Sequence, residues 1–151
     1  MNAPRFEFRL ERVRALRERL EEMSREELAA SLGHRLRVEA ELQEALDELD
    51  GAGAYMRTVG TGEQVSGQEL LAAQAYLERT ANTSRVAAED LKQRDVEVQQ
   101  RRAHLAERAR ERQALERLKE RRHAEHLLDA QRSEGIALDE LAIQRHRRQV
   151  A

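Results

Sequence analysis

Leucine recurs every seven residues through the middle of the chain. The repeat occupies five apolar positions and is interrupted only by Ser84 at the same phase: Leu70, Leu77, Leu91, Val98 and Leu105. A sustained heptad is typical of a helix that packs along another helix in a left-handed supercoil. The pattern therefore predicts a coiled coil built on long helices rather than a globular domain.

A first helix is predicted over about residues 6–50, where apolar residues recur at helical spacing. At its start they follow one another by three or four residues and form one stripe: Leu10, Val13, Leu16, Leu20 and Met23. Further on, Leu28, Leu32 and Leu36 are spaced by four and four. Such a departure from the heptad acts like a stutter and predicts a locally unwound supercoil.

Glycine divides the helical part of the chain in two. Five of the seven glycines fall between positions 51 and 67, and each costs a helix about 1 kcal/mol relative to Ala. We therefore expect a glycine-rich tip over 51–65. Ser66 and Glu69 have the spacing of a capping box, so a second helix is predicted over about 66–134.

Two long helices joined by a short link predict an all-α fold. We expect a long two-helix antiparallel coiled-coil hairpin with an overhanging C-terminal helix, in a single coiled-coil domain over 1–151. Gly135 predicts a break near the end of the second helix, before a short tail helix over 136–148.

A turn centred in the glycine-rich tip also predicts which residues meet. The numbers of paired positions then add to about 116, which brings Leu10 near Leu105 and Leu46 near Leu70. From Arg112 onward the second helix has no intramolecular partner in this arrangement. The overhang carries an apolar stripe that suggests a surface for another protein: Leu115, Leu118, Leu127 and Leu128.

The composition excludes several classes of protein. The chain is 37% charged and 3% aromatic, with no Trp and no Cys, so disulfides and thiolate metal sites are excluded. No apolar run approaches the ~20 residues that cross a bilayer, and the N-terminus lacks the apolar segment of a signal peptide. We expect a cytoplasmic protein. No residues are spaced as a nucleophile, acid–base pair or phosphate loop, so we expect no enzyme activity and no cofactor.

Charge is distributed unevenly although the net charge is only −2. Residues 21–50 carry a local net charge of −7 and residues 101–122 one of +5. The basic stretch has two interpretations: a solvated helix face with ion pairs one turn apart, or a surface that docks on an acidic protein. Nucleic acid is disfavoured, because the chain is acidic as a whole and few aromatic residues are available to stack on bases.

Three further side chains have more than one interpretation. His123 and His126 lie one turn apart on the second helix. They are two solvated histidines or part of a metal site, and the former is favoured because a structural site needs four ligands. Tyr76 lies beside Leu77 of the heptad. It either covers that leucine or is exposed as an aromatic anchor for a partner.

Four segments in order resemble the FliJ family of flagellar type III export proteins. They are the opening Phe6-x-Phe8-x-Leu10-x-x-Val13 with Leu16-Arg17-Glu18, then Tyr76-Leu77-Glu78, the run from Leu115 to Arg122, and Leu138-Asp139-Glu140-Leu141-Ala142 with Arg145. Their order and spacing hold over nearly the full chain, on either side of the predicted turn.

The resemblance implies a coiled coil similar to the γ stalk of rotary ATPases. Its expected partners are the flagellar export ATPase ring, the cytoplasmic domain of the export gate membrane protein, and export chaperones. It implies peripheral association with the inner face of the cell membrane through the export apparatus. Direct membrane insertion and nucleic-acid binding are not expected.

The resemblance also implies which residues bind partners. Segment 115–122 and the helix from Phe6 to Glu18 would lie at the end held by the ATPase ring, and Tyr76 would face the gate. The candidate partner-binding residues are Phe6, Phe8, Leu10, Val13, Arg17, Tyr76, Arg117, Lys119, Arg121, Arg122, Asp139 and Glu140. Two alternatives stay open: the equivalent stalk of a virulence type III secretion system, and a structural homo-oligomeric coiled coil.

Overall fold

The computed structural model describes residues 5–62 and 64–150, without the side chain of residue 150. It contains two helices, α1 over Glu11–Gly60 and α2 over Gly67–Val150. Contacts divide the chain into unit 1, formed by Met1–Glu21 and Glu107–Ala151, and unit 2, formed by Glu22–Ala106. In each unit one part of α1 pairs with one part of α2, so the predicted all-α, two-helix antiparallel fold is confirmed.

Unit 2 is held together by a heptad seam of small and apolar residues. On α2 the seam includes Leu77, Ser84, Leu91, Val98 and Leu105, as the leucine repeat predicts, whereas Leu70 at the start of the repeat is exposed. On α1 it includes Val38, Ala45 and Ala52. Ala52 and Ala73 are completely buried, and side chains this small let two helices approach closely.

Hydroxyl groups in this seam are satisfied within their own helix. Thr80 donates to the backbone carbonyls of Tyr76 and Leu77 at 3.1 and 3.0 Å. Ser84 donates to the carbonyl of Ala81 at 2.9 Å. Both hydroxyls are therefore buried without an unsatisfied donor, which removes the main cost of polar groups in a core.

The predicted stutter in α1 is wrong. The buried and half-buried positions continue in steps of three and four through Leu28, Ser31, Arg35 and Val38, whereas Leu36 is exposed. Ser31, a small polar residue, occupies a seam position where the apolar repeat predicts leucine. Arg35 lies on the seam and extends to Asp95 of α2, with Nε 2.5 Å from Oδ1.

The predicted glycine-rich tip is mostly helix. Helix α1 continues to Gly60, past its predicted end near residue 50. Packing in unit 2 offsets the low helix propensity of Gly51 and Gly53, because Ala52 between them is completely buried. Helix α1 ends at Gly60 and α2 begins at Gly67, so the break between the helices is shorter than the predicted tip.

The predicted capping box at the start of α2 is confirmed. The backbone N–H of Glu69 donates to Ser66 Oγ at 3.1 Å, and the N–H of Ser66 donates to Glu69 Oε2 at 3.0 Å. The same carboxylate oxygen accepts a hydrogen bond from the Ser66 hydroxyl at 3.1 Å. The two bonds that it accepts, from the Ser66 N–H and the Ser66 hydroxyl, lower the pKa of Glu69 below its ordinary value of 4.5, because they favour the ionised carboxylate.

The predicted register is wrong because α1 is longer than expected. In unit 2, Arg101 pairs with Glu27 at 2.8 Å and Arg35 pairs with Asp95. The numbers of paired residues therefore add to about 130 rather than 116. Leu46 consequently lies opposite positions near 84, not near Leu70.

Unit 1 has the same antiparallel direction but a charged interface. Its cross-helix pairs are Glu11–Lys119, Arg14–Glu116, Arg17–Glu111 and Glu21–Arg112. The predicted approach of Leu10 to Leu105 and the predicted start of the overhang at Arg112 are therefore both wrong, since α1 still pairs with α2 at Lys119.

The last part of α2 extends beyond this pairing. Helix α2 continues without interruption through Gly135, so the predicted break and separate tail helix over 136–148 are wrong. A helical glycine costs about 1 kcal/mol, and that cost does not end the helix here.

Candidate functional site

The N-terminal segment of unit 1 packs against α2 before α1 begins. The ring of Phe6 lies edge-on to the ring of His123, with centroids 5.0 Å apart, and 5.6 Å from the ring of His126. The histidine pair is thus a contact surface for an aromatic residue. Among the described residues, no group of three or more His, Asp, Glu or Cys side chains is placed to hold a metal ion.

An open groove of about 560 Å³ lies between this segment and α2. Its apolar lining comes from Phe6, Phe8, Leu10 and Leu118. Its charged lining carries both signs: Arg5, Arg9, Arg122, Glu7, Glu125 and Asp129. The groove therefore offers an apolar surface with polar edges, and it brings three of the predicted aromatic and apolar site residues next to the predicted Arg122.

Charged residues that face the partner helix are paired. Arg14 contacts Glu11 at 2.6 Å and Glu116 at 3.4 Å, and its hydrogen bond to Glu11 raises its pKa. Hydrogen bonds from Arg14 and Lys119 lower the pKa of Glu11. Two predicted site residues, Arg17 and Lys119, thus contribute to the helix–helix interface.

The carboxylate of Glu21 is the most buried acid in unit 1. Its side chain is 4% exposed and accepts a hydrogen bond from Arg112 Nε. This bond is the main cause of the raised pKa of Arg112. An ion pair therefore occupies a seam position that is apolar in most coiled coils.

Other arginines of α2 point away from α1. Arg110, Arg117 and Arg121 are exposed and form no ion pair or hydrogen bond within the described residues. At 100° per residue they lie within about 40° of one another, on the side opposite the seam. The basic stretch thus contains both paired interface residues and an outward face, which we call the arginine face (Arg110, Arg117 and Arg121).

The stripe predicted as the core of the first helix is partly a surface. Leu10, Val13 and Leu16 are 39, 41 and 55% exposed, because the seam of unit 1 runs through Arg14, Arg17 and Glu21 instead. We call Val13, Leu16 and Leu20 the apolar flank of α1. Arg12 and Arg19 adjoin it and have no pairing partner within the part of the chain the structure describes.

Sequence reasoning missed this surface because it assigned leucine to the interface and arginine to solvent. A usable signal was present in the spacing. Arg14, Arg17 and Glu21 continue the three–four steps of Leu28 and Ser24 towards the N-terminus. The same positions carry side chains that can form ion pairs with the basic second helix.

The remaining predicted site residues are exposed. Tyr76, in unit 2, has the guanidinium carbon of Arg79 5.5 Å from its ring centroid. Arg122 forms a long ion pair with Glu125 at 3.5 Å. Asp139 and Glu140 make no polar contact within the described residues. All the predicted site residues except Tyr76 belong to unit 1.

The two units also differ in charge. Unit 1 contains 17 Lys and Arg against 13 Asp and Glu, a net charge of +4. Unit 2 contains 10 against 16, a net charge of −6. The outward residues of unit 1 therefore present positive charge beside an apolar flank.

Comparison with known proteins identifies a family. A family model described as flagellar FliJ protein matches residues 6–151. Neither the search of curated proteins nor that of solved structures gives a match. Within the described residues, neither helix contains a stretch apolar and long enough to span a bilayer.

Proposed function

Because the chain belongs to the FliJ family of flagellar export proteins, we propose that it is a coiled-coil stalk between the export ATPase ring and the export gate. The observation that supports a role in flagellar type III export is the family match, which covers residues 6–151. In the proposed role the protein also handles export chaperones, catalyses no reaction itself and works in the cytoplasm at the membrane face of the apparatus.

Unit 1 supports the proposed contact with the ATPase ring. The three cations of the arginine face have no ion-pair partner among the residues that the structure describes. Exposed ion pairs contribute only about 0–1 kcal/mol each. Such contacts form and break readily, as a component that moves within a ring requires. The apolar flank of α1 adds about 25 cal/mol for each Å² it buries against the partner.

The N-terminal segment supports the same assignment. Phe6 and Phe8 are half-buried and line the groove beside Arg122, so their aromatic edges are available to a side chain of the ring. In this arrangement Arg17 and Lys119 stabilise the helix pair, and Arg117, Arg121, Asp139 and Glu140 contact the partner.

Tyr76 supports the proposed contact with the gate protein. Its ring is exposed and has the charged Arg79 side chain beside it. Tyrosine and arginine are among the residue types that most often dominate the affinity of an interface. We assign this pair to the cytoplasmic domain of the gate protein.

The ring contact is tested with the purified export ATPase of the same organism. We expect this protein to increase ATP hydrolysis and hexamer assembly. Arg117→Glu/Arg121→Glu should weaken binding at least about tenfold by charge reversal at two contacts. The effect of the substitutions should shrink at high salt, because screening weakens exposed charges.

The matched control is Arg37→Glu/Arg102→Glu, which changes the net charge equally. Both residues are exposed, lie in unit 2 and lack a pairing partner among the described residues. Equal loss of binding in both variants would contradict a contact made by the arginine face. No change in hydrolysis or assembly on adding the wild-type protein would contradict the stalk itself.

A further inference from the structure

The end of α2 is a helix for which the described residues provide no polar partner. Within the part of the chain that the structure describes, the last ion pair between the two helices of unit 1 joins Glu11 to Lys119. Phe6, which precedes α1, lies against His123 and His126. From Glu134 to Gln149 no side chain has a polar contact within the described residues. A single helix without tertiary contacts is marginal in water.

The apolar residues of this end are exposed on two sides of the helix. Leu138 and Leu141 are 66 and 54% exposed, and Ile136 and Ile143 are 61 and 53% exposed. The two leucines share one face, and the two isoleucines lie about 180° from it.

The leucine face follows a heptad of its own. Its positions advance by four and three residues through Leu127, Gln131, Glu134, Leu138, Leu141, Arg145 and Arg148. We call these residues the terminal track. Such spacing is that of a helix that pairs with another helix along its length.

Charge is divided along the same segment. Residues 127–140 carry Asp129, Glu134, Asp139 and Glu140 against one Arg, a net charge of −3. Residues 141–150 carry Arg145, Arg147 and Arg148, a net charge of +3. Two copies laid antiparallel therefore bring the acidic half of each against the basic half of the other.

We propose that the terminal track binds the same track of a second copy of this protein, forming an antiparallel helix pair around a two-fold axis between Asp139 and Glu140. The occupant is a second copy because this segment is complementary in charge to itself. The interface is isologous, so each contact occurs twice.

The register follows from the positions of the charges and leucines. With paired numbers adding to 279, Leu138 lies against the partner's Leu141, and Glu134 lies against the partner's Arg145. Gln131 then lies against the partner's Arg148. All three layers join positions of the heptad that face each other in antiparallel coiled coils. The paired stretch is about 27 Å long, typical of weak and reversible association.

Glu134 and Arg145 cannot pair within one chain. They are eleven residues apart on a continuous helix, which separates them by about 16 Å along the axis. An effect of one charge on the other therefore reports contact between copies. The proposal does not depend on the ATPase, since only this chain takes part.

The first test is sedimentation velocity of the full-length protein between roughly 5 and 500 µM, a range that covers weak dimers. We expect the wild-type to change from monomer to dimer across this range. Leu138→Glu/Leu141→Glu should stay monomeric, with association weakened at least tenfold. Ile136→Glu/Ile143→Glu, which introduces the same charge on the opposite face, should dimerise as the wild-type does.

A wild-type protein that stays monomeric at every concentration would overturn the proposal and leave this helix to a different protein. The same holds if both double variants lose association equally. Circular dichroism of each variant verifies that its helix content is unchanged.

The second test determines the direction of the pair. Glu134→Arg places like charges together in the antiparallel register and should weaken association about tenfold. Adding Arg145→Glu should restore it to within about threefold of wild-type. In a parallel pair each of these residues would meet its own copy, and the second substitution would restore nothing. Absence of rescue would overturn the antiparallel register.

Discussion

Glu21 shows how one side chain determines the character of unit 1. It occupies a seam position where an apolar residue is usual, and its side chain is 4% exposed. The guanidinium group of its partner Arg112 donates a hydrogen bond to the carboxylate. The alkyl part of the arginine side chain is apolar and suits a helix–helix interface. The pair gives specificity, since only one register brings the two charges together, and it contributes less than apolar packing would.

Removal of one member of this pair should cost more than removal of both. Glu21→Ala leaves Arg112 in the interface without its acceptor, so we expect the midpoint of thermal unfolding to fall by several degrees. Glu21→Leu/Arg112→Leu should equal or exceed the wild-type, because leucine packs at both heptad positions.

Thermal denaturation followed by circular dichroism measures both variants. Glu22→Ala is the control, since Glu22 is exposed and its ion pair with Arg25 is on the surface. A double variant less stable than Glu21→Ala would contradict this account of the pair.

The stability that Glu69 gives to the start of α2 depends on pH. Its pKa is lowered in the folded state, so its ionised form adds stability above the unfolded value of 4.5. That contribution is lost as the pH falls from 4.5 through the lowered folded pKa. Glu69→Gln keeps a neutral hydrogen-bond acceptor and removes only the stabilisation that depends on the charge of the carboxylate.

We therefore expect Glu69→Gln to unfold about one to two degrees below the wild-type at pH 7. The difference should shrink as the pH falls below 4.5 and vanish once the carboxyl group is protonated in the folded state as well. Thermal unfolding at several pH values measures the difference, and Glu78→Gln serves as a control on an exposed helix face. A difference independent of pH would mean that the side-chain charge has no part in the cap.

The two helices differ in how far their sequences predict them. The seam of α2 could be predicted because leucine and valine occupy it at Leu77, Leu91, Val98 and Leu105. The seam of α1 could not, because much of it consists of serine, alanine and charged residues. Hydrophobic periodicity detects a seam only when apolar residues occupy it. In unit 1, residues that form ion pairs with α2 occupy the seam positions of α1 instead.

The extent of α1 was underestimated for a related reason. Helix propensity predicts an end at Gly51, but propensity is a weak preference that tertiary contacts override. Buried Ala52 and the half-buried Met56 continue the heptad beyond the glycines. The predicted capping box at Ser66 was confirmed because its hydrogen bonds are local and need no partner helix.

Gly51 is therefore a site at which α1 can be stabilised. A Cβ at this position meets no atom within 4 Å. Gly51→Ala should raise the free energy of unfolding by roughly 0.5–1 kcal/mol, because alanine has less backbone freedom to lose and the better helix propensity.

The measurement is urea denaturation of Gly51→Ala beside Gly62→Ala. Gly62 lies in the turn, where a new Cβ would come within 3.1 Å of Val65 Cγ2, so no gain is expected there. Equal stabilisation by the two substitutions would mean that helix propensity is not the cause.

The chain as a whole separates its charge between two units. Unit 1 carries +4 and unit 2 carries −6, while the net charge of −2 conceals the difference. Unit 1 also contains the arginine face, the apolar flank and the terminal track. The surfaces proposed to bind partners are thus concentrated in unit 1, where the interface between the two helices is charged.

The hydroxyl groups of Thr80 and Ser84 affect how the helices of unit 2 are aligned. Because both bond to carbonyls of their own helix, these two buried groups give no preference for one axial alignment over another. The ion pairs Arg35–Asp95 and Arg101–Glu27 and the short link between the helices do favour one alignment. Sliding the helices of unit 2 by one heptad would therefore break these ion pairs while leaving both hydroxyls satisfied.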